Sequence, residues 1–233
     1  MKLLHIIATP RDITASHTLK ISNAFLQSMQ ARYADLCVEE LNLFQGDLPV
    51  ITGENVETKY KLIVGQPIDK HQQESWCSVE RTIEHFLSAD IYVITSPMWN
   101  LSIPYALKYY IDVIIQPGYM YKYDEQGQVV PLAVGKKMVC ITSRGGDYSE
   151  KSPFHTYDFQ EPYLRAIFGL VGIYDLHFIN AQPMDITPEL RKTVTAAMID
   201  EARNLAASHE WQVVEENIGA LVLSAQQHSL ANP

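Results

Sequence analysis

The sequence lacks the features that mark secreted, disulfide-rich or membrane-spanning proteins. Its 233 residues include only three cysteines and no apolar stretch long enough to cross a bilayer. Cys37, Cys77 and Cys140 are far apart in the chain, odd in number and surrounded by apolar residues. This usage predicts buried thiols in a reducing compartment. Because the N-terminus also has no signal-peptide pattern, we expect a cytoplasmic protein with no membrane partner.

Basic patches and metal-binding motifs are also missing. The formal net charge is −9, and no run of Lys or Arg could attract a polyanion, so nucleic acid is not an expected partner. The eight histidines show neither an HExxH motif nor paired Cys/His spacing, so the sequence predicts no metal site. A Gly-x-Ser-x-Gly elbow is absent too, which leaves a Ser/His/Asp hydrolase without support.

The first predicted strand is followed by neither a Gly-x-Gly-x-x-Gly fingerprint nor a Gly-Lys-Ser/Thr phosphate loop. Those motifs accompany dinucleotides and ATP, respectively. Their absence favours a mononucleotide that is held by a single phosphate, for which FMN is the obvious example.

What the sequence does contain is an alternation of short apolar runs with amphipathic segments. The predicted strands are residues 2–8, 36–42, 90–96, 138–142 and 174–179. The predicted helices are residues 17–33, 70–88, 103–115, 163–171 and 188–207. Right-handed crossovers then predict an α/β flavodoxin-like fold, with a doubly wound five-stranded parallel sheet in the order 2-1-3-4-5 and helices on both faces.

Three segments fall outside this alternation. Residues 44–68 read as a long polar loop, and residues 119–130 as a hairpin. Residues 208–233 form a tail with an apolar patch at 218–223. The predicted organisation is therefore one FMN-binding domain, residues 1–207, and a C-terminal extension, residues 208–233.

The loop after the first strand is rich in hydroxyl groups. Thr9, Thr14, Ser16 and Thr18 lie where a helix begins. The free N–H groups and the dipole of a helix N-terminus favour an anion, so these side chains can help to hold a terminal phosphate. The alternative is that Ser16 or Thr18 only caps the helix.

Two further loops follow the third and fourth strands. Residues 97–104 offer an aromatic face at Trp99 and backbone donors for a flat heterocycle, and residues 143–146 contain a glycine pair that lets backbone approach a ring. Each has a simpler explanation, namely a buried Trp99 in an ordinary turn and a flexible glycine turn. In the predicted sheet, however, the three loops converge at the switch point, which favours one bound flavin.

With these loops assembled, the sequence resembles the FMN-dependent NAD(P)H azoreductase and quinone reductase family. The segment Pro97-Met98-Trp99-Asn100-Leu101 is similar to the family's Pro-Met-(Tyr/Trp)-Asn-Phe flavin loop. Thr9 and Thr18 stand where many relatives have Ser, and Leu101 replaces a Phe. The resemblance also includes residues 142–146, 160–165 and 168–172.

The resemblance implies specific site residues and a homodimer with active sites at the subunit interface. Tyr121 would overhang the flavin and form the substrate slot with Trp99 and Leu101; the alternative is a hairpin that packs only within its own subunit. The implied cofactor-binding residues are Thr9, Ser16, His17, Thr18, Pro97, Met98, Trp99, Asn100, Leu101, Ser143, Arg144, Gly145 and Gly146.

The implied activity is a ping-pong oxidoreduction. NAD(P)H passes a hydride to flavin N5, and a quinone or azo-type aromatic acceptor then takes two electrons, so no catalytic side chain is required. The sequence does not choose between NADH and NADPH. Two alternatives stay open: a non-catalytic flavodoxin-type electron carrier or flavin-dependent regulator, and a specialised redox or modifying enzyme in a biosynthetic pathway.

Overall fold

A computed structural model describes residues 1–212, and its centre is a five-stranded parallel sheet. The sheet strands are β1 (Lys2–Ile7), β2 (Cys37–Asn42), β3 (Ile91–Pro97), β6 (Lys137–Ser143) and β7 (Asp175–Ala181). Between β3 and β6 lies a separate hairpin of β4 (Tyr121–Tyr123) and β5 (Val129–Pro131). The order β2-β1-β3-β6-β7 confirms the predicted 2-1-3-4-5 arrangement.

Within the described residues, six α-helices connect or flank the strands. They are α1 (His17–Arg32), α2 (Gly53–Ile63), α3 (Lys70–Leu87), α4 (Tyr105–Ile114), α5 (Glu161–Leu170) and α6 (Pro188–Ser208). Within residues 1–212, no helix combines the length and the apolar character that a membrane crossing needs. The predicted apolar patch at 218–223 lies outside the described residues.

The central strands are apolar on both faces because helices cover both sides of the sheet. One core lies beneath α3, α4 and α5 and contains the parallel, stacked rings of Phe86 and Tyr92. The opposite core lies beneath α1 and α6, where Phe25 meets Trp211 edge to face at 5.2 Å. Trp211 is fully buried, so the residues just after position 207 contribute to this core.

The prediction that residues 44–68 form a loop was wrong, because α2 lies within them. Thr52 accepts a hydrogen bond from the backbone N–H of Asn55, and the Asn55 side chain accepts one from the backbone N–H of Thr52. The buried residues of α2 are Asn55 and Thr58, which are both polar. A helix that buries no apolar stripe gives no periodic signal in the sequence.

The expectation of three buried thiols holds only for Cys140. Cys140 lies in the central strand β6, where burial raises the pKa of its thiol well above the ordinary value. Cys37 is exposed because it begins the edge strand β2, and Cys77 is half-buried on α3.

Candidate functional site

The loops after β1, β3 and β6 meet at the carboxyl rim of the sheet, because these three strands are neighbours. Between them lies a cleft of about 350 Å³, a size typical of small-molecule sites. Its lining residues are Thr9, Pro10, Arg11, Ser16, His17, Thr18, Pro97, Met98, Trp99, Ser143, Arg144, Gly145, Met184, Asp185 and Arg191.

One end of the cleft is the N-terminus of α1. Ser16 caps this helix, and its hydroxyl accepts a hydrogen bond from the N–H of Leu19 at 3.2 Å. His17 and Thr18 are the first helical residues, so their N–H groups have no acceptor within the helix. Ser16 therefore caps the helix and also lines the cleft, so the cap and the anion site are compatible roles.

Positive charge surrounds the same end of the cleft. Arg11 and Arg191 line it together with His17. Partial burial, helped by the charges of Lys20, Arg191 and Arg11, holds the pKa of His17 below its ordinary value. The His17 Nδ1 atom lies 2.8 Å from the hydroxyl of Thr195 on α6, which fixes the ring. In an acidic protein, this local cluster of positive charge favours an anion.

The other end of the cleft is built by a tight turn after β3. The N–H of Trp99 donates to the carbonyl of Ser102 at 2.9 Å, and the N–H of Ser102 donates back to Trp99 at 3.0 Å. Asn100 and Leu101, the two residues between them, have φ values of 47° and 70°. Two positive φ values define a type I′ turn, which asparagine tolerates and leucine adopts only with strain.

Aromatic rings support this turn from outside the cleft. Trp99 is half-buried and lines the cleft with Met98. Its ring meets Phe44 at 5.9 Å and Tyr105 at 6.3 Å between centroids. Trp99 is therefore not the buried core residue that the simpler explanation proposed.

The third loop joins the other two. The Thr18 hydroxyl donates to the hydroxyl of Ser143 at 2.7 Å, and the N–H of Met98 donates to the carbonyl of Ser143 at 2.8 Å. Gly145 lies against the Asp185 side chain so closely that a Cβ would collide with the carboxylate. Glycine at this position thus lets Asp185 lie at the edge of the cleft.

A buried ionic network lies behind the turn. The Arg144 side chain is 1% exposed, and its guanidinium is 2.8 Å from Asp158 and 3.5 Å from Glu161. Arg144 also donates to the Gln160 side chain, which in turn donates to the carbonyl of Pro97 at 3.0 Å. The network therefore holds the start of the Trp99 turn in place.

Most of the sequence-predicted site residues line the cleft, and a few lie elsewhere. Asn100, Leu101 and Gly146 belong to the same three loops but are not among the lining residues. Tyr121 is also outside; it lines a second cleft of about 500 Å³ with residues of α2, α4 and α5.

Sequence reasoning missed several lining residues of the cleft. Arg11 lies within the first loop, but a single arginine belongs to no motif that would distinguish it from a surface charge. Asp185 and Arg191 follow β7, where no motif indicated a site. The only available signal was that β7 borders the switch-point strands, so its carboxyl end also faces the cleft.

Comparison with known proteins agrees with the fold. The model of a family with a flavodoxin-like fold matches residues 1–206. An FMN-dependent NADH:quinone oxidoreductase of Nitratidesulfovibrio vulgaris is 35% identical over 88% of this chain and 97% of its own length. A Pseudomonas fluorescens protein named FMN-dependent NADH:quinone oxidoreductase 3 is 32% identical, covering 94% of this chain and 98% of that protein.

Solved structures give the same result. An FMN-dependent NADH-azoreductase from Bacillus anthracis, solved in complex with FMN, is 30% identical with a TM-score of 0.76, covering 88% of this chain and 99% of that one. These matches define a flavodoxin-like protein. More narrowly, the chain belongs to the family of FMN-dependent NADH:quinone oxidoreductases and azoreductases.

Proposed function

We propose that this protein is an FMN-dependent oxidoreductase that transfers electrons from NADH or NADPH to a quinone or an azo-type aromatic compound. The observation that carries the proposal is the cleft itself, which has an anion site at one end and an aromatic wall at the other. It occurs in a chain 35% identical to an FMN-dependent NADH:quinone oxidoreductase.

The residues of the cleft fit FMN. The N–H groups of His17 and Thr18, the Ser16 hydroxyl and the nearby Arg11 would bind the phosphate. Trp99 would lie beside the flat ring system with Met98. A dinucleotide is less well matched, because the first loop has no glycine-rich turn for a pyrophosphate.

Bound FMN would supply two-electron hydride chemistry between a nicotinamide and a planar acceptor. The protein supplies no nucleophile. The Arg144 network and the Ser143 contacts hold the loops rigid, and the paired hydrogen bonds between Trp99 and Ser102 fix the turn that carries the Trp99 ring. The indole of Trp99 shields one side of the cleft from water and favours planar substrates.

We further propose a cytoplasmic homodimer with a second copy seated over the cleft that Tyr121 lines. Aliphatic side chains are exposed around it, with Val56 38% and Leu170 39% exposed. Covering this surface would remove them from water. It would also bring Tyr121 to an interface, as the proposed substrate slot of Tyr121, Trp99 and Leu101 requires. Residues 1–207 are the proposed FMN-binding domain and residues 208–233 its extension.

The experiment makes three measurements on one sample. The absorption spectrum of the purified protein should show a bound flavin, and adding NADH or NADPH with a soluble quinone should give sustained loss of nicotinamide absorbance. Flavin bleaching without turnover would instead support an electron carrier. Sedimentation analysis of the same sample should give a dimer, and a monomer would contradict the placement of Tyr121.

A further inference from the structure

Three side chains with metal-binding chemistry meet at the amino rim of the sheet, opposite the proposed flavin cleft. Asp175 begins β7, and His177, two residues later, is on the same strand face. His209 ends α6 as its C-cap residue. The Asp175 carboxylate is 2.9 Å from His177 Nε2 through one oxygen and 3.0 Å from His209 Nε2 through the other.

We propose that Asp175, His177 and His209 form a binding site for Zn²⁺. Their three candidate ligand atoms all lie within 4.8 Å of one another. Tetrahedral zinc needs ligand atoms about 3.3 Å apart, so a small inward shift of the imidazoles suffices. The side chains are 25–34% exposed, which leaves the fourth position open to water. The site is independent of the proposed function.

The donor set suits zinc better than Mg²⁺ or Ca²⁺. Two imidazole nitrogens and one carboxylate are borderline and hard ligands, respectively, and zinc accepts both. Mg²⁺ and Ca²⁺ prefer oxygen ligands throughout. Zinc binds imidazole only in its neutral form, so protons compete with the metal for these ligands.

Lys137 is the competitor for this site. Its ammonium is 2.8 Å from one Asp175 oxygen and donates to the carbonyl of Glu210 at 2.6 Å. A divalent cation beside this ammonium is repelled, so Lys137 must move away when zinc binds. Lys137→Met should therefore increase zinc affinity, although it removes a polar group from the cluster.

Bound zinc would join the C-terminal end of α6 to the edge strand β7. Trp211 lies directly behind the cluster, with its ring 4.6 Å from His209 and 5.9 Å from His177 between centroids. A metal bridge here would therefore fasten the α6 side of the core, where Trp211 is buried. The sequence predicted no metal site because the proposed ligands extend over 34 positions, from Asp175 to His209, and match no metal-binding motif.

The test is equilibrium dialysis of the untagged, FMN-loaded protein against zinc sulfate, with zinc measured by atomic absorption. We expect one zinc ion per chain and a zinc-dependent rise in melting temperature. His177→Gln and His209→Gln should each weaken binding at least about tenfold, the loss that even outer-shell changes cause. The exposed His155 provides the control, because His155→Gln should bind zinc as the unaltered protein does.

Three results would overturn the proposal. They are the absence of stoichiometric zinc, equal binding by the His177 and His209 variants, and weaker binding by Lys137→Met. The flavin spectrum is the internal check on folding. It should be unchanged in every variant, because the cluster lies at the opposite end of the strands from the flavin cleft.

Discussion

The two rims of the parallel sheet use their polar groups in opposite ways. At the carboxyl rim, His17 and Thr18 present N–H groups with no acceptor in their helix, and Leu101 has a left-handed backbone. At the amino rim, Asp90 accepts from the N–H of Lys2 at 2.7 Å, and Asp175 is paired with Lys137. Spare donors and strain indicate a surface shaped for a ligand, whereas a ligand at the amino rim must first displace existing bonds.

The largest difference between the rims should appear in stability. Arg144→Met leaves Asp158 buried without its cation, and breaking a buried pair in this way costs about 3–5 kcal/mol. Lys137→Met breaks a partly exposed pair at the amino rim and should cost no more than about 1 kcal/mol. Urea unfolding of both variants, with a chelator present, measures the two costs.

The same pair of variants checks what the Arg144 network does. Because Gln160 connects Arg144 to the carbonyl of Pro97, Arg144→Met should also weaken FMN binding, whereas Lys137→Met should not. Equal destabilisation by the two substitutions would mean that the network is no more important than a surface ion pair.

The second prediction concerns the anion site. Ser16→Asp keeps a good helix cap but places a carboxylate where the phosphate should bind. Like-charge repulsion at this distance should reduce FMN affinity on the order of tenfold to a hundredfold. The measurement is a fluorescence titration of FMN into the FMN-free protein.

Asn23→Asp is the matched control, since it adds the same charge to an exposed position of α1. It should leave FMN affinity unchanged within about twofold, because solvent screens a charge that lies beyond the first turn. If both variants retain FMN equally well, the phosphate does not bind at the N-terminus of α1.

The third prediction tests backbone strain at the carboxyl rim. Glycine adopts positive φ without penalty, so Leu101→Gly should be more stable than Leu101→Ala by about 1 kcal/mol. At Gln30, an exposed position in α1, the order should reverse, because glycine is the poorer helix former by about 1 kcal/mol. Thermal unfolding of the four variants measures the difference in stability between glycine and alanine at each position. If alanine is the more stable residue at both positions, the turn is unstrained.

Sequence patterns predicted the fold because its central strands are mostly apolar and nearly continuous runs. Such runs, separated by amphipathic helices, leave few right-handed arrangements. The α2 helix could not be predicted in this way, since it buries Asn55 and Thr58 in place of an apolar stripe. Cys37 was misjudged for a related reason: apolar neighbours do not distinguish an edge strand from a central one.

The candidate site was predictable where it consists of continuous loops. Residues 9–11, 16–18 and 97–99 line the cleft from two short stretches of chain, so the composition of these stretches indicated a ligand. Arg191 reaches the cleft through the packing of α6, and the left-handed backbone of Leu101 contradicts its residue type. Both depend on tertiary contacts, which a single sequence does not reveal.

The smallest effect should be a change in how stability depends on pH. Its sign should differ between a histidine at the open carboxyl rim and a histidine in a surface ion pair. Burial, with nearby positive charges, lowers the pKa of His17, so the unfolded chain binds a proton there more readily than the folded one. This contribution to stability is complete above the ordinary pKa of 6.5 and is lost as the pH falls through that value toward the folded pKa. His71 has the opposite sign, because its hydrogen bond to Glu54 raises its pKa, and its contribution is lost as the pH rises.

Melting temperatures of the FMN-free protein should therefore fall less steeply on acidification in His17→Gln than in the unaltered protein, and more steeply in His71→Gln. Shifts of the same sign in both variants would contradict the assignment of His17 to a cationic, partly desolvated cleft.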